Sequence, residues 1–420
     1  MSVGRPAMGA VALAAAIVAV VAIGSAAAAA SGGAQSALRQ QCRDPYPGTR
    51  APSNPLMLPA APGSSPLTGA RFFVDGPRHG SAASAIAPLV GLNPKAYTDG
   101  YSWVSFEQGP LPKALAKRPS LESKVTLLKK IASQPEAQRL SSYVGGGGPG
   151  AVYSQAQKLF CHNFTADPGS IPVLDTYFLH PTVPRCPSPR QVAAAGPSFR
   201  RQVNETAQAT GNRPVVFLLE IDAIGASRCV QRRGALPGWE ALLRYEARVL
   251  GSLPHTVTYL EAGYSDGNNP SYTAKVLNAS GVRTIRGFFT NDTHNNWTIK
   301  EIRWGQRVSR MTGGAHFIVN TATNGRGPLL NRHPSTQGIQ VLCNPPGRGL
   351  GPLPSTNPID PMTGRPFAGV DAFLWTSPPG NSTGKCNGGP APGNFWVAGA
   401  LGLASRANGQ LGPGYPSQPY

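Results

Sequence analysis

Several signatures of common chemistries are missing from these 420 residues. There is no Cys-x-x-Cys and no His-x-x-x-His pair, which argues against a structural zinc site. Gly-x-x-x-x-Gly-Lys-Ser/Thr is absent, and the run Gly145 to Gly148 has none of the features of a phosphate loop. No Ser/His/Asp grouping stands out for acyl transfer. Acidic side chains are scarce, 19 against 38 basic ones, for a formal net charge of +19. That surplus could attract nucleic acid, anionic cell-wall polymers or an acidic polysaccharide. The basic residues are dispersed, however, and Arg303, Arg307 and Arg310 make only a short helical stripe without interleaved aromatics. A solvated basic surface is therefore expected, with no nucleic-acid partner, while anionic cell-wall polymers stay open as partners. Nothing in the chain asks for a metal or another cofactor.

What is present begins with a targeting segment. Arg5 supplies a positive start, Val11 to Ile23 an apolar run, and Ser25 to Ala30 small residues suited to cleavage. Residues 1–33 read as a signal peptide. An N-terminal membrane anchor is the alternative, because the apolar run is just long enough to span a bilayer. Either way the remainder is exported, so six cysteines read as disulfides and the protein as secreted. Residues 34–65 are rich in Pro, Ser, Ala and Gly and read as a linker or wrapping arm. A monomeric globular body is expected over 66–404, with a flexible tail over 405–420.

The body is organised around Pro214-Val215-Val216-Phe217-Leu218-Leu219-Glu220-Ile221-Asp222. Five large apolar residues in a row predict a strand buried on both faces, as in parallel sheets. Two carboxylates follow where the strand leaves the core, the place where βα barrels do their chemistry. Glu220 and Asp222 read equally well as helix caps or partners of an arginine. Further strands are predicted at Arg71–Val74, Ile171–Phe178, Thr256–Leu260, Arg283–Phe289, Ala315–Val319 and Asp371–Trp375. Helices are predicted between them: Ser120 is a candidate N-cap for one through Ile131, another runs through Leu159, and a modest one covers Gln202–Ala209. About seven strands alternating with helices predict an α/β fold, a distorted TIM-like βα barrel. Its strand ends would present Asp222, Glu261, Thr290-Asn291, Asn320 and Thr376-Ser377. Carboxylates, amides and hydroxyls converging in this way suit a polyhydroxylated ligand.

Six stretches carry a resemblance to a known family. They are Leu219-Glu220-Ile221-Asp222, Tyr259-Leu260-Glu261-Ala262-Gly263, Gly287-Phe288-Phe289-Thr290-Asn291, His316-Phe317-Ile318-Val319-Asn320, Cys343 to Gly351 and Asp371-Ala372-Phe373-Leu374-Trp375. In this order they resemble the family 6 glycoside hydrolases, secreted β-1,4-glucanases and cellobiohydrolases, from about Leu67 to about Leu403. The resemblance implies a distorted barrel of about seven strands, an inverting reaction on β-glucan polysaccharide or oligosaccharide, and Asp222 as proton donor. It also implies the disulfides Cys186–Cys229 and Cys343–Cys386, which leaves Cys42–Cys161 by elimination.

The departures from the family pattern define open questions. Arg185 stands before Cys186 where the family has aspartate, and a cation there would lower the pKa of Asp222. Glu261 and Tyr264 replace an aspartate and a histidine. Ser377, Asn381 and Thr383 replace a lysine, a glutamate and a candidate base aspartate, and Leu342 stands where tryptophan is expected. The second carboxylate could then be Glu261, Asp266 or Asp292. Substrate contacts are expected from Glu261, Asn291, Asn320, Trp375, Ser377 and Asn381. Glu261 could instead pair structurally, Asn291 and Asn320 could serve loop backbone, and Trp375 could be core. The chain reads as a β-1,4-glucan hydrolase, with a degenerate barrel that binds polysaccharide or cell wall as the alternative.

Overall fold

The computed structural model describes residues 64–141, 147–329 and 343–416, together with Leu56 and Leu58. The targeting segment and Cys42 lie outside the described residues, and with them the pairing expected for Cys42.

Seven parallel strands form the sheet: β1 (Gln138–Ser141), β2 (Val173–Tyr177), β3 (Val215–Leu219), β4 (Thr256–Glu261), β5 (Gly287–Thr290), β6 (His316–Asn320) and, after a short strand β7 (Ser355–Thr356) and a hairpin β8 (Ile359–Asp360) and β9 (Arg365–Pro366), β10 (Val370–Leu374). Their order is β1-β2-β3-β4-β5-β6-β10, with β7 antiparallel on the outer edge of β10. Beyond the ladders, Glu136 and Trp375 form a single parallel bridge, and the Ala137 N–H donates to the Trp375 carbonyl at 3.0 Å. This bridge joins the two ends of the sheet into a distorted barrel.

Alternation along each strand separates two cores. Val216, Leu218, Val257, Tyr259, Phe289, Ile318, Ala372 and Leu374 pack together in one buried cluster, the barrel interior. Val215, Phe217, Leu219, Leu260, Phe288, Phe317, Val319 and Phe373 belong to another, against the helices Pro189–Thr210, Leu236–Gly251 and Thr298–Met311. All five β3 residues are fully buried. Each such side chain contributes about 1.5–3 kcal/mol, which makes β3 the axis of both cores. A third cluster joins the N-terminal helices to Trp375 and to the helix Val397–Ser405.

Several boundaries differ from those expected. Arg71–Val74 makes only a bridge from Phe72 to Ile171, and the seventh parallel strand is instead β1. The modest helix runs from Pro189 to Thr210, started by a reciprocal Ser188–Gln191 capping box and Pro189 at its first turn. Ser120 caps nothing and sits inside a single 3-10 turn, Pro119–Leu121. Residues 405–416 do not hang free as the expected flexible tail, and the last four positions lie outside the described residues. Leu411 is fully buried, its carbonyl accepts the Ile299 N–H at 2.9 Å, and the Asn408 N–H donates to Leu350 at 2.8 Å.

At the N-terminal end of the barrel the fully buried Asp371 gathers Tyr259 Oη at 2.7 Å, Arg286 Nε at 2.7 Å and Nη2 at 2.8 Å, and His316 Nδ1 at 3.0 Å. Among the described residues no helix is long and apolar enough to cross a membrane.

Candidate active site

The opposite end of the barrel is where β3 stops. Its exit is made by two non-glycine residues in left-handed conformation, Glu220 (φ 51°) and Asp222 (φ 65°). Such a conformation is rare for residues with a side chain, Asp and Asn tolerating it best, and it clusters at functional positions. The two carboxylates point to different tasks. Glu220 is fully buried; its Oε1 accepts the Phe178 N–H at 2.7 Å and its Oε2 the Leu179 N–H at 3.0 Å, so it fastens the exit of β2. Burial pushes the Glu220 carboxyl up to about 7 against the pull of these two bonds. Neither Glu220 nor Asp222 forms an ion pair among the described residues. Replacing Glu220 with Gln turns one acceptor into a donor facing an N–H. Urea denaturation should show a loss of about 1–3 kcal/mol, and unchanged stability would mean the two bonds carry no weight.

Asp222 is half-buried, and its Oδ1 accepts the exposed Thr293 hydroxyl at 3.0 Å. The turn that carries it is bolted from below by Glu261 at the end of β4. Glu261 Oε2 accepts the Ile224 N–H at 2.7 Å and the Gly225 N–H at 3.0 Å. Burial, and then the charge of Asp222, push the Glu261 carboxyl up to about 8. With 2% exposure it has no surface to offer a ligand, so the expected substrate contact is instead a brace.

Asn291, Asn320 and Trp375 are likewise occupied. Asn291 donates to the carbonyls of Asn296 (3.2 Å) and Asn320 (3.1 Å) and accepts the Asn296 N–H. Asn320 donates to the carbonyls of Asn291 and Asp292 and accepts the N–H groups of Ala322 and Thr376. Trp375 is 1% exposed, with its indole N–H on the Pro352 carbonyl at 3.3 Å, which makes it core and not a sugar platform. Asn381 stays half-buried and bridges Phe395.

Asp266 accepts from His294 Nδ1 (2.8 Å) and Asn296 Nδ2 (2.6 Å). Burial works to raise its pKa, but these partners hold it below the usual carboxylate value. The His294 ring stacks on Tyr264 at 3.3 Å, and Tyr264 lies against Gly225, where even a Cβ would come within 3.3 Å. Asp292, after β5, is 4% exposed, and its Oδ1 receives the hydroxyls of Thr376 and Ser377, the latter at 3.0 Å. Ser377 is half-buried, and its one hydroxyl proton is shared between Asp292 Oδ1 and the Asp292 carbonyl, the latter at 2.8 Å.

Two participants, Arg139 and Asp175, went unread in the sequence. Arg139 of β1 grips the buried Asp175 of β2 through Nε at 3.2 Å and Nη2 at 2.9 Å, and lies 5.0 Å above the Tyr177 ring. Its side chain is 42% exposed and its charge reaches Asp292. The available signal was Asp175 itself, an inward-facing charge in the middle of an apolar strand. Arg185 is exposed, and its charge reaches His180 and Tyr264. The loops are tied by the bridges Cys186–Cys229 and Cys343–Cys386, Cα atoms 5.4 and 6.1 Å apart, as expected.

Comparison with known proteins places this geometry. The model of glycosyl hydrolases family 6 matches residues 193–407. Endoglucanase A of Cellulomonas fimi is 30% identical over 283 residues, 67% of this chain but only 56% of its own length, so the chain spans little more than half of that relative. Endoglucanase 1 of Streptomyces sp. (strain KSM-9) is 29% identical over 283 residues, 66% of this chain and 71% of its own. Among solved structures, the endoglucanase Cel6 of Mycobacterium tuberculosis, in complex with methyl-cellobiosyl-4-deoxy-4-thio-β-D-cellobioside, aligns with a TM-score of 0.59 and 26% identity over 82% of this chain and 99% of its own. The family match covers just over half of the chain and contains Asp222, the Glu261 that braces its turn and the ends of β3 to β6 and β10: this chain belongs to glycosyl hydrolase family 6.

Proposed function

We propose that the chain is a secreted β-1,4-glucanase that cleaves cellulose or a related β-glucan with inversion, and that Asp222 protonates the leaving oxygen. One observation carries this reading. Of the candidate carboxylates, Asp175, Glu220, Glu261 and Asp292 are buried and the half-exposed Asp266 is held by His294 and Asn296, whereas Asp222, half-exposed at the exit of the central strand, accepts the exposed Thr293 hydroxyl. An acid that meets a glycosidic oxygen must reach the ligand; buried carboxylates around it shape its field and its backbone. The relatives named endoglucanases, and the thio-cellobioside held by the mycobacterial structure, point to a cello-oligosaccharide as the ligand. Residues 1–33 would direct export, 34–65 serve as a linker, and the barrel from residue 66 onward do the chemistry.

The decisive experiment is incubation of the full chain with cellohexaose and soluble β-glucan, following reducing ends and the anomer of the first product by proton NMR. Release of α-configured products is expected. Products released first as the β-anomer would overturn inversion, and no release from any β-glucan would overturn the glucanase reading.

A further inference from the structure

Inversion needs a second proton site, because the attacking water loses a proton while Asp222 gives one away. The positions where family 6 enzymes resembling this chain carry the candidate aspartates hold Arg185 and Thr383 here. Thr383 is spent on Asn344, accepting its N–H at 2.9 Å. The nearby carboxylates are committed as well: Glu220 and Glu261 to backbone N–H groups, Asp175 to Arg139, Asp266 to His294 and Asn296.

Asp292 is different. Both of the hydroxyls it holds lie on Oδ1, while Oδ2 is buried and, among the described residues, has no hydrogen-bond partner. A buried carboxylate oxygen without a donor is a costly arrangement that proteins rarely leave unused. Asp292 is buried, with 4% exposure, but Ser377, whose hydroxyl lies 3.0 Å from its Oδ1, meets solvent in part. Thr376, the other hydroxyl, is fully buried. Among the described residues, the hydroxyl connecting this carboxylate outward is therefore that of Ser377.

Resting on the glucanase reading above, we propose that Ser377 and Asp292 form the proton outlet for the attacking water. As the water oxygen bonds to the anomeric carbon, its proton passes to Ser377 Oγ and the proton of Ser377 passes to Asp292. The bond from the anomeric carbon to the leaving oxygen breaks, and that oxygen takes the proton of Asp222. Asp222 ends as carboxylate and Asp292 as carboxylic acid; exchange of one proton through solvent restores both. Asp292 here is a positioning residue that acts through Ser377.

The surroundings suit a proton acceptor near neutrality. Burial pushes the Asp292 carboxyl up to about 6, and the charges of Asp175 and Asp222 add to this. The Thr376 hydrogen bond and the Arg139 guanidinium oppose it, and Glu261 faces the same space. The outlet should therefore be open above about pH 6 and close as pH falls through that value.

The test measures kcat, KM and the pH profile of kcat on cellohexaose for Asp292→Asn, Ser377→Ala and Ser377→Thr. Expected are losses of kcat of about 100-fold or more in the first two, with KM near wild type, and disappearance of the acid limb in Asp292→Asn. Ser377→Thr keeps the hydroxyl and should recover most of the rate. Wild-type kcat with an intact acid limb in either of the first two variants overturns the proposal. Should Asp292→Asn not fold, infrared titration of the carboxyl stretch in wild type and Ser377→Ala decides. A carboxyl titrating near pH 6 that moves upward when the Ser377 hydroxyl is removed is expected, and its absence overturns the outlet. Glucan cleavage with unaltered variants sinks this proposal alone, whereas a wild type that cleaves no glucan sinks the glucanase reading with it.

Discussion

Asp222→Asn is expected to lower kcat on cellohexaose by about 10³-fold, within the range that a lost general acid costs. That is about 4 kcal/mol of transition-state stabilisation at 1.36 kcal/mol per tenfold. The substitution isolates the proton. Asn keeps a carbonyl to accept the Thr293 hydroxyl now 3.0 Å from Oδ1, and it tolerates the left-handed φ of 65° nearly as well as Asp. KM and the melting temperature should stay close to wild type, since neither the backbone bend nor the packing changes. A variant that retains more than about a tenth of the wild-type kcat would remove Asp222 from the role of acid. Asp222→Ala is the poorer experiment, because it strains the turn while it deletes the carboxyl.

The largest effect on stability should come from the other end of the barrel. Asp371→Ala leaves Arg286, 19% exposed, without the carboxylate that it holds through Nε and Nη2, and leaves the Tyr259 hydroxyl unpaired in the interior. Breaking a buried pair from one side costs about 3–5 kcal/mol. Equilibrium urea unfolding should report that loss, and a change below about 1 kcal/mol would mean the cluster is replaceable by water. The pH dependence follows from the direction of the Asp371 shift. Burial alone would raise this carboxyl, but the hydrogen bonds and charges of Arg286 and His316 hold it below its ordinary value. Its contribution is thus complete above the unfolded carboxylate pKa and fades as pH falls through the lower folded one. Between neutrality and strong acid, wild type should lose stability that Asp371→Asn lacks from the start.

How far the sequence was legible depends on which physical signal each element leaves. Strands β3 to β6 and β10 announce themselves because burial on both faces demands continuous apolar runs. Strand β1, Gln138-Arg139-Leu140-Ser141, has one large apolar residue and so leaves no run to find, although it completes the sheet and brings Arg139 to the site. Asp222 was legible from its place beyond a buried strand and from the motif around it. The direction in which a carboxylate points was not: Glu220 and Glu261 carry the same residue type at similar strand ends, yet both turn inward to main-chain N–H groups. The meeting of Asp292 with Thr376 and Ser377 joins segments 84 and 85 residues apart and depends on how β5, β6 and β10 are staggered, which no local pattern records.

The bridge between Glu136 and Trp375 closes the barrel where its ladders have run out. Strands β3 and β4 share five register pairs, while this joint shares one. Mechanically it is the clasp of the hoop, held by one bridge where the hoop is held by ladders. Arg139 follows on one side of it and Thr376 and Ser377 on the other. A small parting there would widen the space between the strand ends and, in the same movement, draw the guanidinium away from Asp292 and the hydroxyls that bind it. On the outlet proposed above, the width between the strand ends and the basicity of Asp292 would then change together.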